Sequence, residues 1–91
     1  MLQIEFDMIV FREGASFVAY CPELDLSSCG RDTDEARSNL KTAVRLFIEE
    51  TERLGTLDQV LEEAGYVPDG KGGYVPPRLV ATESATVAVR A

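Results

Sequence analysis

Histidine and tryptophan are absent from this 91-residue chain, and cysteine occurs only twice. Without histidine there is no general base of the usual kind near neutral pH, and no serine or cysteine has one beside it to make it a nucleophile. Zinc takes about four sulfur or nitrogen ligands, so Cys21 and Cys29 cannot complete a site within one chain. Both lie in strand-like sequence, where a free thiol packs as a small apolar group. Only Arg31, near Cys29, stands close enough in sequence to lower a thiol pKa. Long hydrophobic runs are missing too. The opening Leu2-Gln3-Ile4-Glu5-Phe6-Asp7 interleaves charge with apolar residues, which predicts neither a leader nor a membrane span and points to the cytoplasm. Cations are scarce, nine against sixteen acidic residues, for a net charge of −7. The average field of such a surface repels free nucleic acid and attracts basic protein, besides keeping the protein soluble.

What is present reads as one small α+β domain. Leu2, Ile4, Phe6, Met8 and Val10 alternate with Gln3, Glu5 and Asp7, the pattern of a half-buried strand. Ile9 and Phe11 make the second face apolar as well, predicting cover on both sides at that end. Arg12-Glu13-Gly14-Ala15 is a hairpin connection, with Gly14 free to take a positive φ. Ser16–Cys21 forms the returning strand, stopped by Pro22, which has no amide hydrogen for a ladder. Leu26–Gly30 is a shorter third strand. Asp32 with Glu35 has capping-box spacing, and Asp34 and Glu35 suit the positive end of a helix dipole. The predicted helix buries a stripe of Ala36, Leu40, Ala43, Phe47, Thr51 and Leu54, flanked by Val44, and ends at Gly55. A second helix follows, with Thr56 and Gln59 as another capping box, an apolar face of Leu57, Val60, Leu61 and Ala64, and Gly65 as its stop. Gly65-Tyr66-Val67-Pro68 and Gly73-Tyr74-Val75-Pro76 are two extended arms around a tight turn, too short for a structural repeat. Alternation at Ala85, Val87 and Val89 predicts a last strand over residues 78–90, joining the sheet edge or another subunit.

Three motifs reduce to ordinary structure. Gly70-Lys71-Gly72-Gly73 lacks the spacing, the following hydroxyl and the helix of a phosphate loop, and reads as a flexible turn. Arg37, Lys41 and Arg45 recur every four residues, but Glu49, Glu52 and Arg53 continue that face with mixed sign, as on a solvated helix. Glu5, Asp7 and Glu35 are the carboxylates a metal-dependent nuclease would need, and exposed strand carboxylates are commonplace.

The succession Gly14 to Leu24, Gly30-Arg31-Asp32-Thr33-Asp34-Glu35-Ala36 and Asn39-Leu40 resembles the HicB-like antitoxin family over residues 4 to 54. Its most specific parts are Cys21-Pro22-Glu23-Leu24 and Gly30 to Ala36. The loop after Leu24 departs from the family pattern, having Asp25-Leu26 where a Pro-Gly pair is usual. The resemblance implies a partial RNase H-type fold and a protein that binds and silences a small basic toxin with mRNA-cleaving activity. Many members also carry a helix-turn-helix or ribbon-helix-helix segment. Residues 66–91, with only Lys71, Arg78 and Arg90 basic, predict no DNA-binding module here.

The expectation is thus a β-β-β-α-α-β chain with an antiparallel sheet and the main helix packed on one face. Residues 1–55 form the βββα core, 56–65 a short helix, 66–77 a Gly/Pro loop and 78–90 the last strand. Function is expected to be that of an antitoxin, non-enzymatic and without cofactor or metal. The toxin contact falls on Glu23, Leu24 and Asp25, helped by Asp32 and Asp34. The alternatives are a stand-alone oligomeric binding or scaffold module and, last, the Glu5–Asp7–Glu35 nuclease. A thin core at this length and open sheet edges predict a homodimer or higher oligomer.

Overall fold

The computed structural model describes residues 2–90. Three strands, β1 (Ile9–Glu13), β2 (Ser16–Cys21) and β3 (Leu26–Gly30), form an antiparallel sheet in sequence order. Two helices follow, α1 (Thr33–Leu54) and α2 (Leu57–Glu63), then a two-residue-per-arm hairpin of β4 (Val67–Pro68) and β5 (Tyr74–Val75). This is an α+β fold with α1 lying over β3 and β2 and touching β1 least.

Local chemistry places each boundary. Gly14 takes φ 61 in the two-residue turn that sets Glu13 opposite Ser16. Asp32 caps α1, its Oδ1 accepting from the Glu35 amide at 2.7 Å, while Glu35 reaches back to the Arg31 amide at 2.9 Å. Gly55, at φ 76, ends α1, and the amides of Gly55 and Thr56 donate to Glu52 and Thr51 carbonyls. Thr56 does not cap α2 as its spacing with Gln59 predicts. Its hydroxyl donates instead to the Thr51 carbonyl at 3.4 Å, because the preceding helix end is nearer.

Two apolar clusters share the interior. Ala19 and Cys21 from the sheet meet Ala36, Leu40 and Val44 from α1, with Val10, Phe17 and Leu26 packed around them. Leu57, Leu61 and Tyr66 form the second, completed by Leu2, Ile4 and Tyr74, and Leu24 and Ile48 join the two. The buried stripe of α1 keeps Ala36, Leu40 and Thr51 of the predicted one, with the flanking Val44, and departs from it at Ala43, Phe47 and Leu54. Ala36, Leu40, Val44 and Thr51 are buried and Ile48 packs inward, whereas Leu54 is exposed and Ala43 and Phe47 are only half-buried. Both flanks of the row have helical spacing, and contact with the sheet selects between them.

Two strand predictions are corrected. The apolar alternation from Leu2 is kept, since Leu2, Ile4, Phe6, Met8 and Val10 all pack inward, but only Ile9–Glu13 is paired. β2 ends at Cys21, opposite Leu26 and just beyond the Tyr20–Ile9 pair, so residues 2–8 have no strand beside them. Residues 78–90 are not a strand within this chain. They are exposed throughout and pair with nothing among the described residues. The cover predicted beyond Ile9 and Phe11 is also missing, for Phe11 is 49% exposed and α1 packs on the other face.

Candidate functional site

The turn from Pro22 to Asp25 joins β2 to β3. Glu23 faces inward there. Its Oε2 accepts from the Asp7 amide at 2.9 Å and its Oε1 from the Cys21 thiol at 3.5 Å, tying the N-terminal segment to the turn. Leu24 packs into both apolar clusters. Asp25 is exposed, holds a left-handed φ of 54, and accepts the Tyr20 hydroxyl proton at 2.9 Å. That hydrogen bond raises the Tyr20 pKa. Of the three turn residues, only Asp25 is displayed.

Asp32 and Asp34 sit at the other end of β3. Over Leu26–Gly30 the separation is about 13 Å at about 3.3 Å per residue, so the five residues do not converge. Asp32 is committed to the helix cap. Asp34 is almost fully exposed, 3.2 Å from Arg37. Glu35 pairs with Arg31 at 2.9 Å, and that hydrogen bond holds its carboxyl below the usual range. Arg45–Glu49 and Arg53–Glu50 continue the same local pairing along α1. Thus Arg37 and Arg45 of the basic stripe are each matched on their own helix, and Lys41 alone of that stripe has no such pair among the described residues.

Sequence reasoning missed two surfaces. Asp58, Glu62 and Glu63 line the exposed side of α2, where Tyr74 donates its hydroxyl proton to Asp58. A groove of about 810 Å³ lies between residues 2–6 and α1, floored by Leu2, Ile4, Phe6, Val44 and Ile48. Its rim mixes Lys41 and Arg45 with Glu49 and Glu52. The legible signal for it was Ile48, apolar and just outside the predicted stripe.

Glu5, Asp7 and Glu35 are not gathered. Glu5 is exposed on the N-terminal segment, and Glu35 is engaged by Arg31 at the start of α1. Among the described residues, no three His, Cys, Asp or Glu side chains converge as a metal ion requires. No described helix is long and apolar enough to cross a membrane. No protein-family model, curated protein or solved structure matches the chain.

Proposed function

We propose that this chain is an antitoxin-like protein that binds and neutralises a small basic toxin with mRNA-cleaving activity, and that its βββα unit is a partial RNase H-type fold. The reading draws on the HicB-like succession of residues, and on the order of three antiparallel strands followed by one long helix lying across them. The observation that carries it is electrostatic. Arg31 and the three arginines of α1 are consumed by acids one turn away, leaving Asp25, Asp58, Glu62 and Glu63 without an ion pair among the described residues. A surplus of −7 displayed in this way steers a basic partner and raises its association rate.

The contact residues left under this reading are Asp25 and the almost fully exposed Asp34, at opposite ends of β3, since Glu23, Leu24 and Asp32 already have structural work. The test is coexpression with the small basic protein recovered in stoichiometric amount from the source cells. Toxicity and mRNA cleavage by that protein alone, both abolished by this chain, are the expected outcome. Recovery of nothing but further copies of the chain overturns the reading in favour of a stand-alone oligomeric module.

A further inference from the structure

Beyond Leu79 the chain leaves its own body. Val80, Val87 and Val89 are 92, 79 and 81% exposed, and the radius of gyration is 15.6 Å where a compact chain of this length has about 12 Å. Yet the segment is not written as a solvated linker. Ala85, Val87 and Val89 alternate with Thr86, Ala88 and Arg90, and β-branched residues at period two want a sheet beside them.

The same chain carries an open edge that lacks a strand. In an extended strand, successive residues point their N–H and C=O groups to opposite sides. Glu13 and Ser16 flank the two-residue turn as a hydrogen-bonded pair, so the odd residues of β1 face β2. The segment before β1 keeps this phase, because the Asp7 amide donates to Glu23 and the Glu5 carbonyl accepts from the Tyr66 hydroxyl at 2.7 Å. The backbone groups of Ile4, Phe6, Met8, Val10 and Arg12 therefore face the other way, where no strand lies among the described residues. The far edge of the sheet differs. On β3 the Cys29 carbonyl accepts from Asn39 at 2.8 Å, and the next outward amide, Arg31, is taken by Glu35. The β3 edge is thus closed by side chains of α1 at its Cys29–Arg31 end, whereas no such side chain covers the edge of residues 4–12 among the described residues.

A chain's own tail is badly placed to close it. Pro77, Arg78 and Leu79 lie with Asp7, Pro22 and Glu23, on the side of the N-terminal segment away from its open edge, and Pro76-Pro77 stiffens that exit. Charge at the two ends of the tail favours an acidic host. With Arg78 and Arg90 against Glu83, residues 76–91 carry +1, which leaves −8 on residues 1–75. Residues 80–89 hold only Glu83 as a charged group, and the flanking Arg78 and Arg90 draw the two ends of the tail to an acidic body like its own. The ten residues 80–89 extend about 33 Å, enough to run the whole of residues 4–12.

We propose that residues 80–89 of one chain add as a fourth strand to the open edge of residues 4–12 in a second copy, which gives its own tail in return. Main-chain hydrogen bonds supply the affinity and Val87 and Val89 regain an apolar neighbour, as in other strand additions. The exchange is isologous and closes at two chains. It does not depend on the toxin reading.

The test is light scattering and amide exchange on the full chain at micromolar concentration. A dimer is expected, with the amides of Ile4, Phe6, Met8, Val10 and Arg12 protected. Val87→Asp with Val89→Asp should give a monomer that loses this protection and keeps that of α1. Should that double variant unfold, Arg12→Pro serves instead. It removes an amide that faces the open edge and makes no bond within the chain, and it should weaken the dimer at least tenfold. A monomeric wild type, a dimer unmoved by these substitutions, or edge protection that persists in monomers on dilution overturns the proposal.

Discussion

Gly30 shows how one atom can set the distance between layers. A Cβ there would lie 2.5 Å from the Ala36 amide nitrogen and 2.8 Å from the Glu35 carbonyl carbon, both backbone atoms that cannot swing aside. Gly30→Ala should therefore cost about 1–3 kcal/mol of stability, as overpacking against a fixed wall does, measurable as a lowered urea midpoint at unchanged slope. A loss no larger than a few tenths would mean that α1 can lift off β3. The two cysteines divide by the same kind of placement. Cys21 is fully buried, and burial, aided by the Glu23 carboxylate, pushes its thiol from an ordinary 9.0 to about 11. Cys29 is exposed. A thiol reagent at neutral pH should label one equivalent quickly and the second only on unfolding. Burial also raises the Tyr66 hydroxyl above its ordinary 10.0, with Glu23 and Cys21 adding to the effect. Both groups stay protonated in the fold and ionise more readily in the unfolded chain. Their stabilisation is whole below pH 9 and declines as pH rises through about 11, so urea midpoints should fall over that window.

At the scale of elements, the joints matter more than the helices and strands themselves. The N-terminal segment has no ladder before Ile9, and it is held by side chains: Glu23 on the Asp7 amide and Tyr66 on the Glu5 carbonyl. Tyr66→Phe should cost about 1 kcal/mol, the worth of one such bond, and should speed exchange around residues 2–8 more than in α1. Uniform loosening of the whole chain would show instead that Tyr66 acts only through packing. Element identity was largely legible in the sequence, from the alternation of β1 and β2, the cap at Asp32 and the left-handed Gly55. The buried row of α1 was legible in part, with Ala36, Leu40 and Thr51 placed and Val44 at their flank. Ala43-Phe47-Leu54 and Val44-Ile48 flank the Ala36-Leu40-Thr51 row on its two sides with comparable apolarity, and only the sheet tells which flank turns inward.

For the molecule as a whole, charge and edges carry the functional argument. The three ion pairs within α1 and the Arg31–Glu35 pair at its start are solvent-facing and local, so salt should change stability little. Under the antitoxin reading, association with a basic partner should respond strongly, slowing as salt screens the field. Asp25→Asn with Asp34→Asn should slow that association several-fold at low salt and leave dissociation nearly unchanged, and asparagine keeps the left-handed conformation at position 25. An association rate that ignores both salt and these substitutions would move the contact away from this surface. Four of the five candidate residues were readable as acidic, but not their division of labour. That Glu23 turns inward while Asp25 turns out depends on the Asp7 amide lying beneath the turn.

The sequence alone determined the strand–strand–strand–helix–helix order, the acidic surface and the lack of a histidine-based chemistry, because periodicity, caps and composition are local or summed properties. Tertiary structure decided what depends on neighbours distant in the chain: which flank of the helix row turns inward, where β1 loses its partner, and that residues 78–90 pair with no strand among the described residues. A strand pattern states only that a segment suits a sheet. Whether a sheet edge lies within its reach is settled by the path of the whole chain.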